Sequence, residues 1–299
     1  MFSRRHPYLF FILVVIALIT SLGAVRAFVS LFTGDGGVPG FTESVGVVEI
    51  TGIIADSKDV LADLKRFDED GSIKAIILRI NSPGGAVGPS QEIYSQVRKL
   101  CAHKPVIASM GAIAASGGYY VAAAADGIMA NPGTLTGSIG VIMEYTNIQR
   151  LFDKIGLSPV VIKSGKYKDM GSPLRKMTDA ERALLQSFVD SVHGQFVDAV
   201  ATGRHLKRED VFKIADGRIF SGKQARDLGL VDRLGNFEDA VEWAGQKGGI
   251  TGKVSISYPP EKKPLLIRYL LDFSQSAIEE VAARFESMPA VSYLYNPEK

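Results

Sequence analysis

The stretch Ser109–Asp126, SMGAIAASGGYYVAAAAD, decides the fold, because it joins a strand pattern to a helix pattern through a serine and two glycines. It follows the strand-like residues 104–108 and ends in an alanine-rich run of high helix propensity. Ser116 therefore lies at a helix N-terminus, where unpaired backbone N–H groups and the helix dipole stabilise an anion. This place suits a nucleophile. It also suits a serine that only caps the helix, which is the commoner role.

Strand and helix patterns alternate along the rest of the chain. Apolar runs predict strands at 45–50, 75–80, 106–110, 128–130, 138–143, 159–163 and 253–258. Helical spacing predicts helices at 56–67, around Ile93, Val97 and Leu100, from Thr178 to about residue 202, and at 208–215, 221–228 and 237–246. Thr178 and Glu181 have the spacing of a capping box. The alternation predicts an α/β fold with a mostly parallel sheet.

The composition is that of a globular protein and excludes several function classes. The formal net charge is +2 and no basic stripe with interleaved aromatic residues occurs, so nothing indicates nucleic-acid binding. Cys101 is the only cysteine, which excludes an internal disulfide and a cysteine-based zinc site. No histidine–carboxylate cluster has metal-ligand spacing, and no cofactor is expected.

The beginning of the chain indicates a membrane anchor. Arg4 and Arg5 precede an uncharged run at 8–25, whose helical length matches a hydrocarbon core of about 30 Å. The arginines favour a cytoplasmic start and an extracytoplasmic main domain, which would be periplasmic beside an inner membrane. A cleaved signal peptide ending near Ala27 is the alternative, but the run is long for one. We expect an anchor at 1–28, a linker at 29–44, a main domain at 45–258 and a helical tail at 259–299.

Two further features could join Ser116 in one site. Pro83-Gly84-Gly85 follows a strand directly, and glycines there let backbone N–H groups point into a cleft and stabilise an oxyanion. The alternative is an ordinary tight turn without a catalytic role. A general base is also needed. His193 is the one serious histidine candidate, on a polar face of the long helix. A buried lysine could replace it, and chemistry alone does not choose among Lys163, Lys166 and Lys168.

Several short motifs in a fixed order resemble a known family. They are INSPGG (80–85), ASGGYY (115–120), TGSIGV (136–141), SGKYKD (164–169), DGRIFSGKQA (216–225) and LGLVD (228–232). The ordered set resembles the short form of signal peptide peptidase A, a family of membrane-anchored Ser/Lys peptidases related to the Clp protease and crotonase folds. The resemblance implies a repeated β-β-α superhelix with a mostly parallel sheet over about residues 45–245.

The resemblance also implies a role for each matched residue. Ser116 would be the nucleophile and Lys168 the general base, with Ser138 orienting the lysine amine. The N–H groups of Gly84 and Gly117 would form the oxyanion hole, with Gly85 as the near alternative. The resemblance further implies a ring-like homo-oligomer, in which the serine and the lysine of one site can come from different protomers. Substrates would be apolar peptides such as remnant signal peptides.

Three rival functions remain at this point. One is a different enzyme on the same fold, either an acyl-CoA enzyme or a Ser-His-Asp protease that uses His193. Another is a non-catalytic membrane scaffold, which would need neither Ser116 nor Lys168. The third is a related membrane serine protease that cuts one specific membrane-protein partner.

Overall fold

The structure is a computed structural model, and it describes residues 20–21, 43–260 and 292–294. The strands are β1 (Ser44–Thr51), β2 (Ile73–Ser82), β3 (Gly84–Ala86), β4 (Val106–Ala115), β5 (Gly127–Ala130), β6 (Leu135–Gly137), β7 (Ile219–Ser221), β8 (Arg233–Leu234), β9 (Ser255–Ser257) and β10 (Ser292–Leu294). The helices are α1 (Lys58–Glu69), α2 (Val87–Leu100), α3 (Gly117–Ala122), α4 (Gln149–Lys154), α5 (Asp179–Arg204), α6 (Arg208–Ile214), α7 (Gly222–Asp227) and α8 (Phe237–Lys247).

The predicted anchor falls almost wholly outside the described residues, which include only Thr20 and Ser21 of it. Nearly all of the predicted linker lies outside them as well. Within the described ranges, no helix combines the length and the apolar character that a membrane crossing requires.

Eight strands of the described chain form one sheet, in which β7, β6, β4, β2, β1 and β9 lie side by side in that order. β5 pairs with the first half of β4, β6 pairs with its last residues, and β8 lies beside β5. The pairings are parallel except that of β6 with β7. The α/β class with a mostly parallel sheet is confirmed.

Helices cover both faces of this sheet. Ile76, Leu78 and Ile80 of β2 belong to a large core that includes residues of α1, α2, α3 and α5. Ile77, from the same strand, belongs to a second core formed with α8. Because successive side chains of a strand point to opposite faces, double coverage makes β2 a nearly continuous apolar run.

The long helix α5 begins as predicted and packs beside the helix that follows Ser116. Its capping box is formed: the Glu181 N–H donates to Thr178 Oγ1 at 3.3 Å, and the Thr178 N–H donates to Glu181 Oε2 at 2.9 Å. Near its end, a Cβ on Gly203 would lie 1.8 Å from the carbonyl oxygen of Ala123. Only glycine permits this approach, which brings α5 against the end of α3.

Two of the predicted strands are wrong. The strand expected at 138–143 lies earlier, as β6, because Gly137 (φ +80°) and Ser138 (φ +50°) turn the chain out of the extended conformation. Residues 159–163 form no strand, and the side chains of Val160 and Ile162 are 87% and 97% exposed. Apolar composition alone led to that prediction, whereas a strand also needs a neighbour to pair with.

Outside the main sheet, β3 and β10 form a small sheet of their own. The pairing is antiparallel, with Leu294 opposite Gly84, Tyr293 opposite Gly85 and Ser292 opposite Ala86. On its other edge β3 forms a parallel bridge with Ile54. Of the predicted helical tail at 259–299, the structure describes residues 259–260, which lie outside helices and strands, and 292–294, which form β10; the apolar residues 265–285 lie outside the described ranges.

Candidate active site

Ser116 occupies a sharp turn between the central strand β4 and helix α3. Its dihedral angles are φ +52° and ψ −119°, outside the regions that residues with a side chain normally adopt. The residue is 1% exposed, and its hydroxyl makes no capping hydrogen bond to α3. A capping role is therefore absent, and backbone strain at a buried hydroxyl is typical of functional sites.

Gly84 and Gly117 lie against each other beside this serine. A Cβ on Gly117 would be 3.3 Å from the Gly84 Cα and 3.2 Å from the Gly85 nitrogen. The N–H of Gly117 is the first of α3 and so has no partner within the helix. The N–H of Gly84 donates to Ser82 Oγ at 3.1 Å, and Gly84 itself has φ +107°. The structure brings these predicted residues together.

Ser138 is the next neighbour of Ser116. The Ser116 N–H donates to the Gly137 carbonyl oxygen at 2.9 Å, continuing the pairing of Ala115 with Gly137. Ser138 is 7% exposed, and its own N–H donates to the Arg218 carbonyl oxygen at 2.8 Å. Ser138 thus directly follows the residue that bonds to Ser116, and Arg218 holds its backbone in place.

Lys168 lies elsewhere, on an exposed turn between α4 and α5. No hydrogen bond among the described residues joins its amine to Ser116 or Ser138. The amines of the other two candidates have nearby partners: Lys163 Nζ lies 2.5 Å from Asp169 Oδ1, and Lys166 Nζ lies 5.2 Å from the Tyr167 ring centroid. Within the described chain the Lys168 amine has neither a hydrogen bond nor an ion pair.

His193 has no connection to the serine. It lies on α5 with its ring 6.0 Å from that of Phe212, and its buried Nε2 has no hydrogen-bond partner among the described residues. No carboxylate accepts a hydrogen bond from the ring within those residues. The arrangement therefore does not form a Ser-His-Asp triad.

Two features of the site region could not be found from the sequence. The strand β10 pairs with β3 directly beside the Gly84–Gly117 contact, and it also contacts α3. Three residues give no usable periodicity. The second feature is the set of contacts around Arg175 on the Lys168 turn, which depends on side-chain geometry rather than on any motif.

Comparisons with known proteins match the part of the chain that contains these site residues. The sequence profile of peptidase family S49 matches residues 98–251, and that of Clp protease matches residues 47–135. The chain belongs to peptidase family S49. This S49 chain is thus a serine peptidase with a Clp protease-like domain, and the resemblance to signal peptide peptidase A is confirmed.

Three relatives of this S49 peptidase come from two bacteria and an archaeon. A Synechocystis protein named as a protease is 48% identical over 229 residues, covering 76% of this chain and 82% of that protein. A Methanocaldococcus jannaschii protein also named as a protease is 39% identical over 207 residues, covering 69% and 67%. An Enterococcus faecium protein named as a signal peptide peptidase is 37% identical over 225 residues, covering 71% and 65%.

Proposed function

We propose that this S49 peptidase cleaves apolar peptides, such as remnant signal peptides, with Ser116 as nucleophile and Lys168 as general base. The observation that carries the proposal is the strained, buried Ser116 between the Gly84–Gly117 contact and Ser138. A scaffold has no need of such strain at a hydroxyl.

The reaction follows from these places. The neutral Lys168 amine takes the Ser116 proton, and Oγ attacks the peptide carbonyl. The Gly117 N–H stabilises the oxyanion, together with the N–H of Gly84 once that group turns from Ser82 Oγ. The protonated lysine then gives its proton to the leaving amine, and water releases the acyl group. Ser138 orients the amine through its hydroxyl.

Lys168 reaches the serine of a second copy in this proposal. Its turn follows a segment whose apolar side chains face solvent: Leu151, Ile155, Leu157, Val160, Val161 and Ile162. Exposed apolar side chains concentrated in one segment favour an interaction site. A neighbouring protomer that covers this segment would place its Ser116 beside Lys168 of the first protomer. This arrangement would explain why the two residues do not meet within one chain.

The anchor at 8–25 would hold the site at the outer face of the inner membrane, where signal peptides are released.

Purified full chain in detergent tests the dyad. The parent is compared with Ser116→Ala, Lys168→Ala and the control Lys166→Ala on apolar peptides, and a serine-reactive fluorophosphonate reports on Oγ. We expect Ser116→Ala and Lys168→Ala to lose cleavage, with Lys166→Ala like the parent. Cleavage at the parent rate by either of the first two would refute the dyad.

Mixing the two inactive variants tests the shared site. After dissociation and reassembly, sites that combine Ser116 of one chain with Lys168 of another regain activity. A mixture that reassembles and stays inactive would place both residues in the same chain.

A further inference from the structure

Arg175 binds two carboxylates at once in the segment before α5. Its Nε lies 2.9 Å from Asp169 Oδ2, and its Nη2 lies 2.9 Å from Asp169 Oδ1, a two-point contact. Its Nη1 and Nη2 lie 2.9 and 2.5 Å from the two carboxylate oxygens of Glu181. The guanidinium is therefore held between both acids.

The same guanidinium also holds backbone. Nη2 donates to the carbonyl oxygen of Asp169 at 3.1 Å, and Nη1 donates to that of Lys176 at 3.1 Å. The Asp169 carbonyl lies immediately after Lys168 in the chain. Arg175 thus fixes both the side chain and the backbone carbonyl of Asp169, the residue that follows Lys168.

The turn that carries Lys168 is closed by a second ion pair. Lys163 Nζ contacts Asp169 Oδ1 and donates to the Lys166 carbonyl oxygen at 3.2 Å, while the Lys168 N–H donates to the Gly165 carbonyl oxygen at 3.2 Å. Asp169 is bound from both sides, and the Lys168 amine is left without a partner among the described residues.

Glu181 connects this turn to a rigid helix. Its side chain is 4% exposed and closes the capping box of α5 with Thr178. The hydrogen bonds from Arg175, followed by those from Thr178, lower the pKa of Glu181 to about 2. Hydrogen bonds from Arg175 and Lys163 hold the pKa of Asp169 well below its usual range. Both acids are thus ionised at neutral pH, where their contacts with Arg175 are charged.

We propose that Arg175 is a positioning residue: it holds the turn that carries the general base, Lys168, against the first turn of α5. The inference rests on the proposed role of Lys168. Arginine is required because a lysine ammonium cannot bind two carboxylates and two carbonyls in this planar arrangement. Displacing a catalytic group by about 1 Å can cost about a hundredfold in rate, so the expected loss lies in kcat.

A double-mutant cycle in the full chain tests this role. Arg175→Gln is made in the parent and in the Lys168→Ala background, and hydrolysis of an activated ester of an acylated apolar amino acid gives kcat and KM. Arg175→Lys and Asp169→Asn accompany it as milder changes at the same contact. Arg208→Gln is the matched control, since Arg208 also pairs with an acid of α5, Asp198, at 2.6 Å.

We expect Arg175→Gln to lower kcat about ten- to a hundredfold with KM little changed. Arg175→Lys and Asp169→Asn should give smaller losses, and Arg208→Gln should match the parent. In the Lys168→Ala background, Arg175→Gln should cause no further loss, because the residue it positions is gone.

Other results would overturn the inference. An equal loss from Arg175→Gln in both backgrounds would show that Arg175 acts independently of Lys168, and an unchanged kcat in the parent would show that it positions nothing. If Lys168→Ala itself keeps the parent kcat, the proposed dyad fails, and that outcome is read from a different variant. Thermal unfolding of each variant confirms that rates are compared between folded proteins.

Discussion

The strain at Ser116 predicts an unusual response to glycine. At an ordinary buried strand position, Ala→Gly costs roughly 0.5–1 kcal/mol through the unfolded chain's freedom and about 0.8 kcal/mol through the lost methyl burial. At φ +52° and ψ −119° the same change also removes about 1–3 kcal/mol of strain, because glycine adopts this region without a clash. Two changes in unfolding free energy are compared: that between Ser116→Ala and Ser116→Gly, and that of Ala→Gly at an unstrained site. The first should be more favourable than the second by about 1–3 kcal/mol.

Ala108 provides the unstrained site. It is fully buried in β4, the strand that leads to Ser116, and pairs with β2 and β5 in ordinary extended conformation. Denaturant unfolding is measured for Ser116→Ala, Ser116→Gly, Ala108→Gly and the parent. At about 2–4 °C per kcal/mol for a domain of this size, the difference between the two sites is also visible in Tm. If Ser116→Gly is less stable than Ser116→Ala by as much as Ala108→Gly is less stable than the parent, strain at the serine is refuted.

Two other responses follow from single contacts. Gly85→Ala places a Cβ 2.3 Å from the Ile54 carbonyl oxygen, so we expect it to lose about 1–3 kcal/mol in unfolding free energy and to lose peptidase activity. The control Gly88→Ala, whose Cβ would have nothing within 4 Å, should be neutral or stabilising. A stable and active Gly85→Ala protein would contradict the close contact with Ile54. Burial, followed by the nearby Asp126 carboxylate, raises the pKa of Cys101 to about 12. Since alkylation needs the thiolate, the folded protein should resist iodoacetamide at pH 8 and react after unfolding; mass spectrometry showing equal rates in both states would contradict this.

The strands and helices of the core were predictable because burial leaves a periodic record in the sequence. The β2 run and the apolar faces of α2 and of the second half of α5 show it. The prediction failed at 159–163, where apolar residues face solvent. Periodicity records that a surface avoids water, but it does not say whether the same chain or another one covers it.

The site was only partly predictable. Ser116 could be placed between a strand and a helix, yet its strained backbone, which distinguishes it from a capping serine, has no signature in local propensity. The neighbourhood of Ser138 follows from β6 pairing with β4, and that strand was misplaced by a few residues. The choice of Lys168 depended on resemblance to a family, since three lysines lie within six residues of one another.

The pairing of β10 with β3 has a consequence for any peptide that reaches Ser116. A strand has two edges; Ile54 uses one edge of β3, and Ser292–Leu294 use the other. An extended peptide that pairs with β3 beside the serine must therefore exchange with a strand of the same chain. A peptide that offers only backbone pairing gains nothing over that strand, so the exchange would favour peptides with additional side-chain contacts.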